Sequence, residues 1–265
     1  MMDLHNKVAV ITGGARGLGR AFSEALLSKG AKISICDINV ADGEATLQVW
    51  REKYGEGRTM FKQCDVSNKQ SFTDVFVETK RKFGTIDIVV NNAGIGKELF
   101  EQDWEKTIHV NLIGVIIGTD LAVQYMSKSS GGYGGVVINI ASTAGLTPVF
   151  YSPVYCASKY GVVGFTRSVA ANPNVCDLGM RFLCLCPAYT DTGLFQAGHS
   201  GRKEVPNLDK ISQLVKSTGI NSVESVANAF MELVENENNN GAVMAVSLKK
   251  GIEYKHGRPV QKSRI

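Results

Sequence analysis

"VAVITGGARGLGRAFSEALLSKGAKISICD", residues 8 to 37, carries the reading on which the rest depends. An apolar, β-branched run from Val8 to Thr12 meets a glycine-rich turn, a helical pattern follows, and a second β-branched run opens at Lys32 and closes on Asp37. Short apolar strands joined by a helix form a βαβ unit, whose parallel strands are covered on both faces. Within "TGGARGLG", Gly13 permits the tight turn, Gly17 lets the backbone approach a pyrophosphate, and Gly19 lets the helix pack on the strand. Amides at the helix start, in the same turn as Arg16 and Leu18, then face phosphate oxygens. Asp37, ending the second strand, accepts hydrogen bonds from ribose hydroxyls and repels a 2′-phosphate, which favours NAD over NADP. Arg16 argues the other way, since a guanidinium pairs with phosphate. The carboxylate decides for NAD, because one arginine only partly offsets its repulsion of a dianion.

Outward from this unit the same alternation continues to the far end of the chain. Strands are expected over Lys7 to Thr12, Lys32 to Asp37, Arg58 to Cys64, Ile86 to Asn91, Gly135 to Ala141, Arg181 to Cys186 and Ala242 to Ser247, with helices beginning near Gly17, Ala41, Asn68, Asp103, Ser152 and Val223. The pattern predicts an α/β fold: a single Rossmann-type doubly wound domain with a seven-stranded parallel sheet and helices on both faces, over residues 1–253. Residues 192–221 lack a clean period and read as an irregular substrate lid, and 254–265 as a basic tail. Pro173 should stop the helix that precedes it.

With 44% hydrophobic and 20% charged residues over 265 positions, the chain is an ordinary globular sequence long enough for one large core. A formal charge of +4 is too small to argue for nucleic acid. The apolar run at the N-terminus is too short for a signal or membrane segment, and no later run is expected to span one. The six cysteines form no C-x-x-C pair and no metal cluster with histidine, so they are expected to be reduced core thiols in a cytoplasmic protein without a metal.

The chemistry lies in a second stretch, "SPVYCASKYGVVGF", residues 152 to 165. Tyr155 and Lys159 are four apart, hence neighbours on one helical face, and an ammonium beside a phenol favours the phenolate. A phenol of ordinary pKa, about 10, is a poor base at neutral pH, so the pairing has a purpose.

Six motifs together resemble the short-chain dehydrogenase/reductase family, in its order and spacing: "TGGARGLG" at 12–19, "CDV" at 64–66, "NNAG" at 91–94, "VNL" at 110–112, "NIAS" at 139–142 and "YCASK" at 155–159. "FKQCDV", "DWEKT", "VYCASKYGVVGFTRS" and "NGAVM" look most like its 15-hydroxyprostaglandin dehydrogenase branch, an NAD-dependent group acting on secondary alcohols of lipids. The resemblance implies that Ser142 donates a hydrogen bond to the substrate oxygen and that Tyr155 removes the hydroxyl proton. It implies that Lys159 activates Tyr155 and holds the nicotinamide ribose, while Asn111 anchors a water that links Lys159 to solvent. It extends the cofactor contacts to Ile38, Cys64, Asp65, Val66, Asn92, Ala93, Gly94, Pro187, Thr190 and Thr192.

Phe150, Tyr151, Ser152, Tyr189, Leu194 and Phe195 are expected, with Ser142 and Tyr155, to line the pocket for a hydrophobic alcohol or ketone. Two features depart from the family pattern. Ala188 stands where glycine is usual, which strains a backbone of positive φ, and Ser152 stands where the prostaglandin branch commonly has Gln. The helices near 103–128 and 152–171 carry apolar residues on more than one face, as expected of a homo-oligomer. Two alternatives stay open at this point: an NADP-dependent carbonyl reductase, supported by Arg16, and a non-catalytic NAD-binding regulatory protein.

Overall fold

A computed structural model of the protein describes residues 1–96, 102–193 and 208–256. Eight strands form one sheet: β1 (Val8–Thr12), β2 (Lys32–Asp37), β3 (Thr59–Gln63), β4 (Ile88–Asn91), β5 (Gly135–Ile140), β6 (Met180–Pro187), β7 (Val243–Ser247) and β8 (Gly251–His256). Their order is β3-β2-β1-β4-β5-β6-β7-β8; all neighbouring pairs are parallel except β7 with β8. The expected doubly wound sheet is present, with one strand more than predicted. Gly251, at φ +65°, turns the chain back so that β8 pairs antiparallel along the free edge of β7. The expected domain boundary at 253 therefore falls inside a strand, and residues 257–265 lie outside the described residues.

The helices are α1 (Gly17–Ser28), α2 (Val40–Tyr54), α3 (Lys69–Phe83), α4 (Glu105–Met126), α5 (Pro153–Ala170), α6 (Leu208–Thr218) and α7 (Val223–Glu235). Asn39, Asn68 and Ser222 cap three of them, each side chain accepting from a backbone N–H in the first turn. α5 ends before Pro173, as the missing N–H of proline requires. Of the segment 192–221, expected to be irregular, 208–218 is the regular helix α6, and 194–207 lies outside the described residues.

Period-2 alternation sends strand residues to two cores. Ala9, Ile11, Ile88, Val90, Val136 and Ile138 meet α1 and α7 on one face; Val10, Val89 and Val137 meet α3 and α4 on the other. α1 buries Gly19, Phe22, Ser23, Leu26 and Leu27, one helical stripe, and Phe22 stacks on Phe230 of α7 with ring centroids 4.4 Å apart.

By length and mean hydropathy of 1.3 alone, α4 would suit a membrane span. Instead it buries Thr107, Asn111 and Thr119 inside the protein and packs against α3 and α5. A π-helical turn, His109–Ile113, interrupts it.

Because Phe22 and Phe230 join two helices over one face of the sheet, Phe230→Ala should remove about 3–5 kcal/mol of stability. Urea unfolding of the two proteins measures the difference, and a loss under about 1 kcal/mol would show that the stack is not a core joint.

Candidate active site

In this strand order the chain runs outward from β1 to β3 on one side and from β4 onward on the other, so the crevice between the carboxyl ends of β1 and β4 is the switch point of the sheet. The first three glycines of the turn, with Gly19, are fitted to that crevice in different ways. Gly13 and Gly17 adopt φ of +61° and +55°, a region costly for other residues. A Cβ on Gly17 would meet nothing nearer than Thr192 at 3.7 Å, so its backbone is open to a ligand. The expected role of Gly19 needs correction: a Cβ there would lie 2.2 Å from the Gly13 carbonyl oxygen, so Gly19 packs the helix on its own turn. Gly14, not singled out in the sequence, makes the contact with a strand, since its Cβ would lie 2.5 Å from Ile35 of β2.

The turn is fastened to the end of β4 by Thr12 and Asn92. The Thr12 hydroxyl accepts from the N–H groups of Asn92 and Ala93, both at 2.9 Å, and Asn92 Nδ2 donates to the carbonyls of Thr12 and Gly13 at 2.8 and 3.2 Å. Asp37 stands beside this turn, its Oδ2 accepting from Ala15 N–H at 3.2 Å and its Oδ1 from Asn39 N–H at 3.1 Å. Arg16 is exposed, with Nη1 3.8 Å from Asp42 Oδ2. Leu18 leans on the core and Ile38 is exposed. Cys64 N–H donates to the Asp37 carbonyl at 3.0 Å, Asp65 Oδ1 accepts from Ser67, and Val66 packs against Gly114 of α4.

β5 delivers Ser142 to the other side of the crevice, where α5 brings Tyr155 and Lys159. Lys159 is buried; its Nζ donates to the Ile140 carbonyl at 2.9 Å and lies 5.6 Å from the centroid of the Tyr155 ring. A Cβ on Gly145 would come within 2.6 Å of the Lys159 carbonyl oxygen. That close approach, which no sequence motif announced, sets the spacing between Ser142 and the Tyr155–Lys159 pair. The Ser142 hydroxyl donates to the Pro187 carbonyl at 3.3 Å and accepts from Ala144 N–H at 3.2 Å, so it both caps a turn and faces the loop after β6.

Asn111, expected to anchor a water beside Lys159, also holds protein groups. Its Oδ1 accepts from Ile95 N–H and its Nδ2 donates to the Ile95 carbonyl, both at 2.8 Å, with Ser158 Oγ 3.2 Å from the same nitrogen. The side chain thus staples the segment after "NNAG" to α5. Gly94 opens the space beside it: a Cβ there would lie 3.4 Å from Asn111 Oδ1 and 3.7 Å from Lys159 Nζ.

After β6, the strain expected at Ala188 is absent. Asn6 and Asp103 are the non-glycine residues of positive φ among the described residues, and Ala188 N–H is bonded to the Val246 carbonyl at 2.8 Å. Thr190 Oγ1 donates to the Ala188 carbonyl at 2.9 Å, while Thr192 lies over Gly17. The structure thus puts Thr192 at the glycine turn.

On the pocket side, Tyr151 and Tyr189 share a hydrogen bond between their hydroxyls, and Phe150 sets its ring edge-on to Tyr151 at 5.3 Å. Burial, then the bond to Tyr189, pushes the Tyr151 phenol well above its ordinary value, and burial raises Tyr189. Both stay protonated and serve as neutral polar groups. Ser152 takes the N-cap position of α5 without capping it, whereas Leu194 and Phe195 lie outside the described residues. Among the described residues no group of three or more His, Cys, Asp or Glu could hold a metal ion. The five cysteines whose side chains are described are buried and unbridged.

The family described as short chain dehydrogenase matches residues 7–203. The chain is 42% identical over 256 residues to 15-hydroxyprostaglandin dehydrogenase [NAD(+)] of Macaca fascicularis and to that of Homo sapiens, covering 96% of this chain and 95% of each relative. It is 38% identical over 197 residues to 3beta-hydroxysteroid dehydrogenase 2 of Eggerthella lenta, covering 72% of this chain and 74% of the relative. Among solved structures, levodione reductase superposes with a TM-score of 0.81 at 26% identity, over 92% of this chain and 96% of its own. A short chain dehydrogenase/reductase from Burkholderia phymatum in complex with NAD gives 0.75 at 28% identity, over 89% and 88%.

The buried ammonium has a measurable consequence. Desolvation lowers Lys159 from 10.5 to about 8. Below that lower value the folded protein bears the full cost of burying the charge. As pH rises toward 10.5 the unfolded chain keeps the proton that the folded one has lost, so this group makes stability rise with pH. Lys159→Met should therefore stabilise the ligand-free protein near pH 7 by about 2 kcal/mol, net of the lost bond to Ile140, and flatten the rise between pH 8 and 10.5. Urea unfolding at several pH values tests this, and a destabilised variant with an unchanged pH slope would contradict it.

Proposed function

The chain belongs to the short-chain dehydrogenase family, and from that premise we propose that it oxidises a secondary alcohol of a hydrophobic or lipid-like small molecule to the ketone, with NAD as cofactor and Tyr155 as general base. The observation that carries this reading is the Lys159 ammonium, buried and held under the Tyr155 ring by the Ile140 carbonyl. A buried cation 5.6 Å from the ring centroid favours the anionic form of the phenol, the form a general base needs.

The crevice suits a dinucleotide, because Gly13 and Gly17 line it at positive φ, where a side chain would be strained, and Gly94 leaves the space beside Asn111 and Lys159 unfilled. When bound, NAD supplies the ring that accepts hydride. Gly13, Arg16, Gly17, Leu18 and Gly19 would hold its pyrophosphate end; Asp37, Ile38, Cys64, Asp65 and Val66 its adenosine; and Asn92, Ala93, Gly94, Lys159, Pro187, Thr190 and Thr192 the nicotinamide side. Ser142 turns its hydroxyl from the Pro187 carbonyl to the substrate oxygen, which fixes that oxygen beside Tyr155. Tyr155 takes the hydroxyl proton, and Lys159 stabilises the phenolate before and the ammonium–phenol pair after. Asn111 keeps α5 and the segment after "NNAG" in register, so that these groups meet. Phe150, Tyr151, Ser152 and Tyr189 form the described part of the pocket wall. The prostaglandin and steroid dehydrogenase relatives support a lipid-like alcohol.

The protein is also proposed to assemble with copies of itself through α4 and α5. Trp104 just before α4, with Ile113 and Tyr160 on them, leaves more than a third of its surface open. Sedimentation at micromolar concentration should give a multiple of 28.6 kDa, and a monomer alone would refute the assembly.

The reaction is tested by following NADH formation across eicosanoid, steroid, terpenoid and simple secondary alcohols. Tyr155→Phe keeps the ring and deletes the hydroxyl, so turnover should fall by about two to four decades while NAD affinity holds within about twofold. Near-normal turnover in that variant, or no NADH from any alcohol, would overturn the reading.

A further inference from the structure

The NAD reading leaves Arg16 to be explained, since a guanidinium in the phosphate-binding turn would ordinarily welcome a 2′-phosphate. Its neighbours supply the reason it does not. Nη1 of Arg16 lies 3.8 Å from Asp42 Oδ2 in the first turn of α2. The same Asp42 oxygen accepts from Asn39 Nδ2 at 2.8 Å, and Asn39 Oδ1 accepts from Asp42 N–H at 3.1 Å. Asn39 N–H donates to Asp37 Oδ1 at 3.1 Å, and Asp37 Oδ2 accepts from the N–H of Ala15, the residue before Arg16, at 3.2 Å. The contacts close a ring: glycine turn, Asp37, Asn39, Asp42, Arg16 and back to the turn.

We propose that Asp42 is a second cofactor-discriminating residue, acting on Arg16 rather than on the dinucleotide. This inference rests on the NAD reading above and deepens it. Asp37 and Asp42 each bring one negative charge and Arg16 one positive, so the ring presents net −1 toward the adenosine ribose. A 2′-phosphate, itself close to −2 at neutral pH, meets that excess. Asp42 also draws the guanidinium toward α2 and occupies it with a carboxylate. An exposed pair at 3.8 Å is loose and contributes little to folding, so its removal should change ligand choice without unfolding the protein. Asn39 continues to cap α2 through the Asp42 backbone N–H, which the substitution leaves in place.

Calorimetric titration of the full chain with NAD and with NADP tests the proposal without reference to turnover. In Asp42→Asn, where the amide oxygen still accepts from Asn39, NADP should bind at least about fivefold tighter than to wild type, with NAD changed less than about twofold. Adding Arg16→Ala should abolish the NADP gain. Asp42→Ser, also compatible with a helix first turn, repeats the measurement should the first variant fold poorly by circular dichroism. NADP affinity no tighter than wild type in a folded variant, or a gain that survives Arg16→Ala, would overturn the proposal while wild-type NAD binding still stood. Wild type that bound neither dinucleotide, or preferred NADP, would instead refute the NAD reading and the inference with it.

Discussion

An ammonium group buried in a protein must be held, and it must have somewhere to send its charge. Lys159 is held by the Ile140 carbonyl and lies beneath the Tyr155 ring, and most of the surrounding architecture serves that placement. β5 ends where its last carbonyls can meet Nζ; α5 lies close enough to require Gly145; Asn111 fastens α5 to the segment after β4. The ligand-free protein carries a cation whose desolvation is only partly compensated. In the proposed reaction, an anion at Tyr155 would complete the compensation.

The dinucleotide crevice is built on a different principle, the removal of side chains. At Gly13, Gly14 and Gly19 a single carbon would press on a neighbouring backbone, on Ile35 or on Asn92. Their bareness lets the turn fold tightly on its own helix, on β2 and on the end of β4, leaving the backbone of Gly17 open, while Thr12 and Asn92 hold the two sides of the crevice together. Open backbone on one side and a buried charge on the other meet at the carboxyl ends of the parallel strands. The strand order brings these ends together.

The sequence was legible wherever a residue's role follows from local pattern. β1, β2 and the α1 stripe follow from periodicity, and Tyr155 and Lys159 from helical spacing. It was less legible where partners are distant. Gly14 and Gly145 look like ordinary turn glycines until Ile35 and the Lys159 carbonyl come against them from other elements. The grip of Asn111 on Ile95 and Ser158 is equally hidden in the sequence, because these partners are 16 and 47 positions away. α6 is hard to see in the sequence although Leu208, Ile211 and Val215 repeat at helical spacing, because charged and polar residues around them blur the stripe. β8 was missed because an edge strand buries too little to alternate clearly: Ile252 and Tyr254 both keep over a third of their surface exposed.

The π-helical turn at His109–Ile113 gives α4 a phase as well as a path. A π turn holds one residue more than an α turn, so the helix on either side is offset by one step of about 100°. Asn111 lies inside that offset, while Gly114 and Gly118 beyond it must face Val66 and Asn91 with no room for a Cβ. Losing one residue here would relax the turn to an ordinary helix and rotate one half against the other, so either the Asn111 staple or the two glycine contacts would miss. At Asn111, Gly114 and Gly118 this stretch is thus constrained in kind, and between them in count: an insertion or deletion would separate contacts that each residue alone could still make.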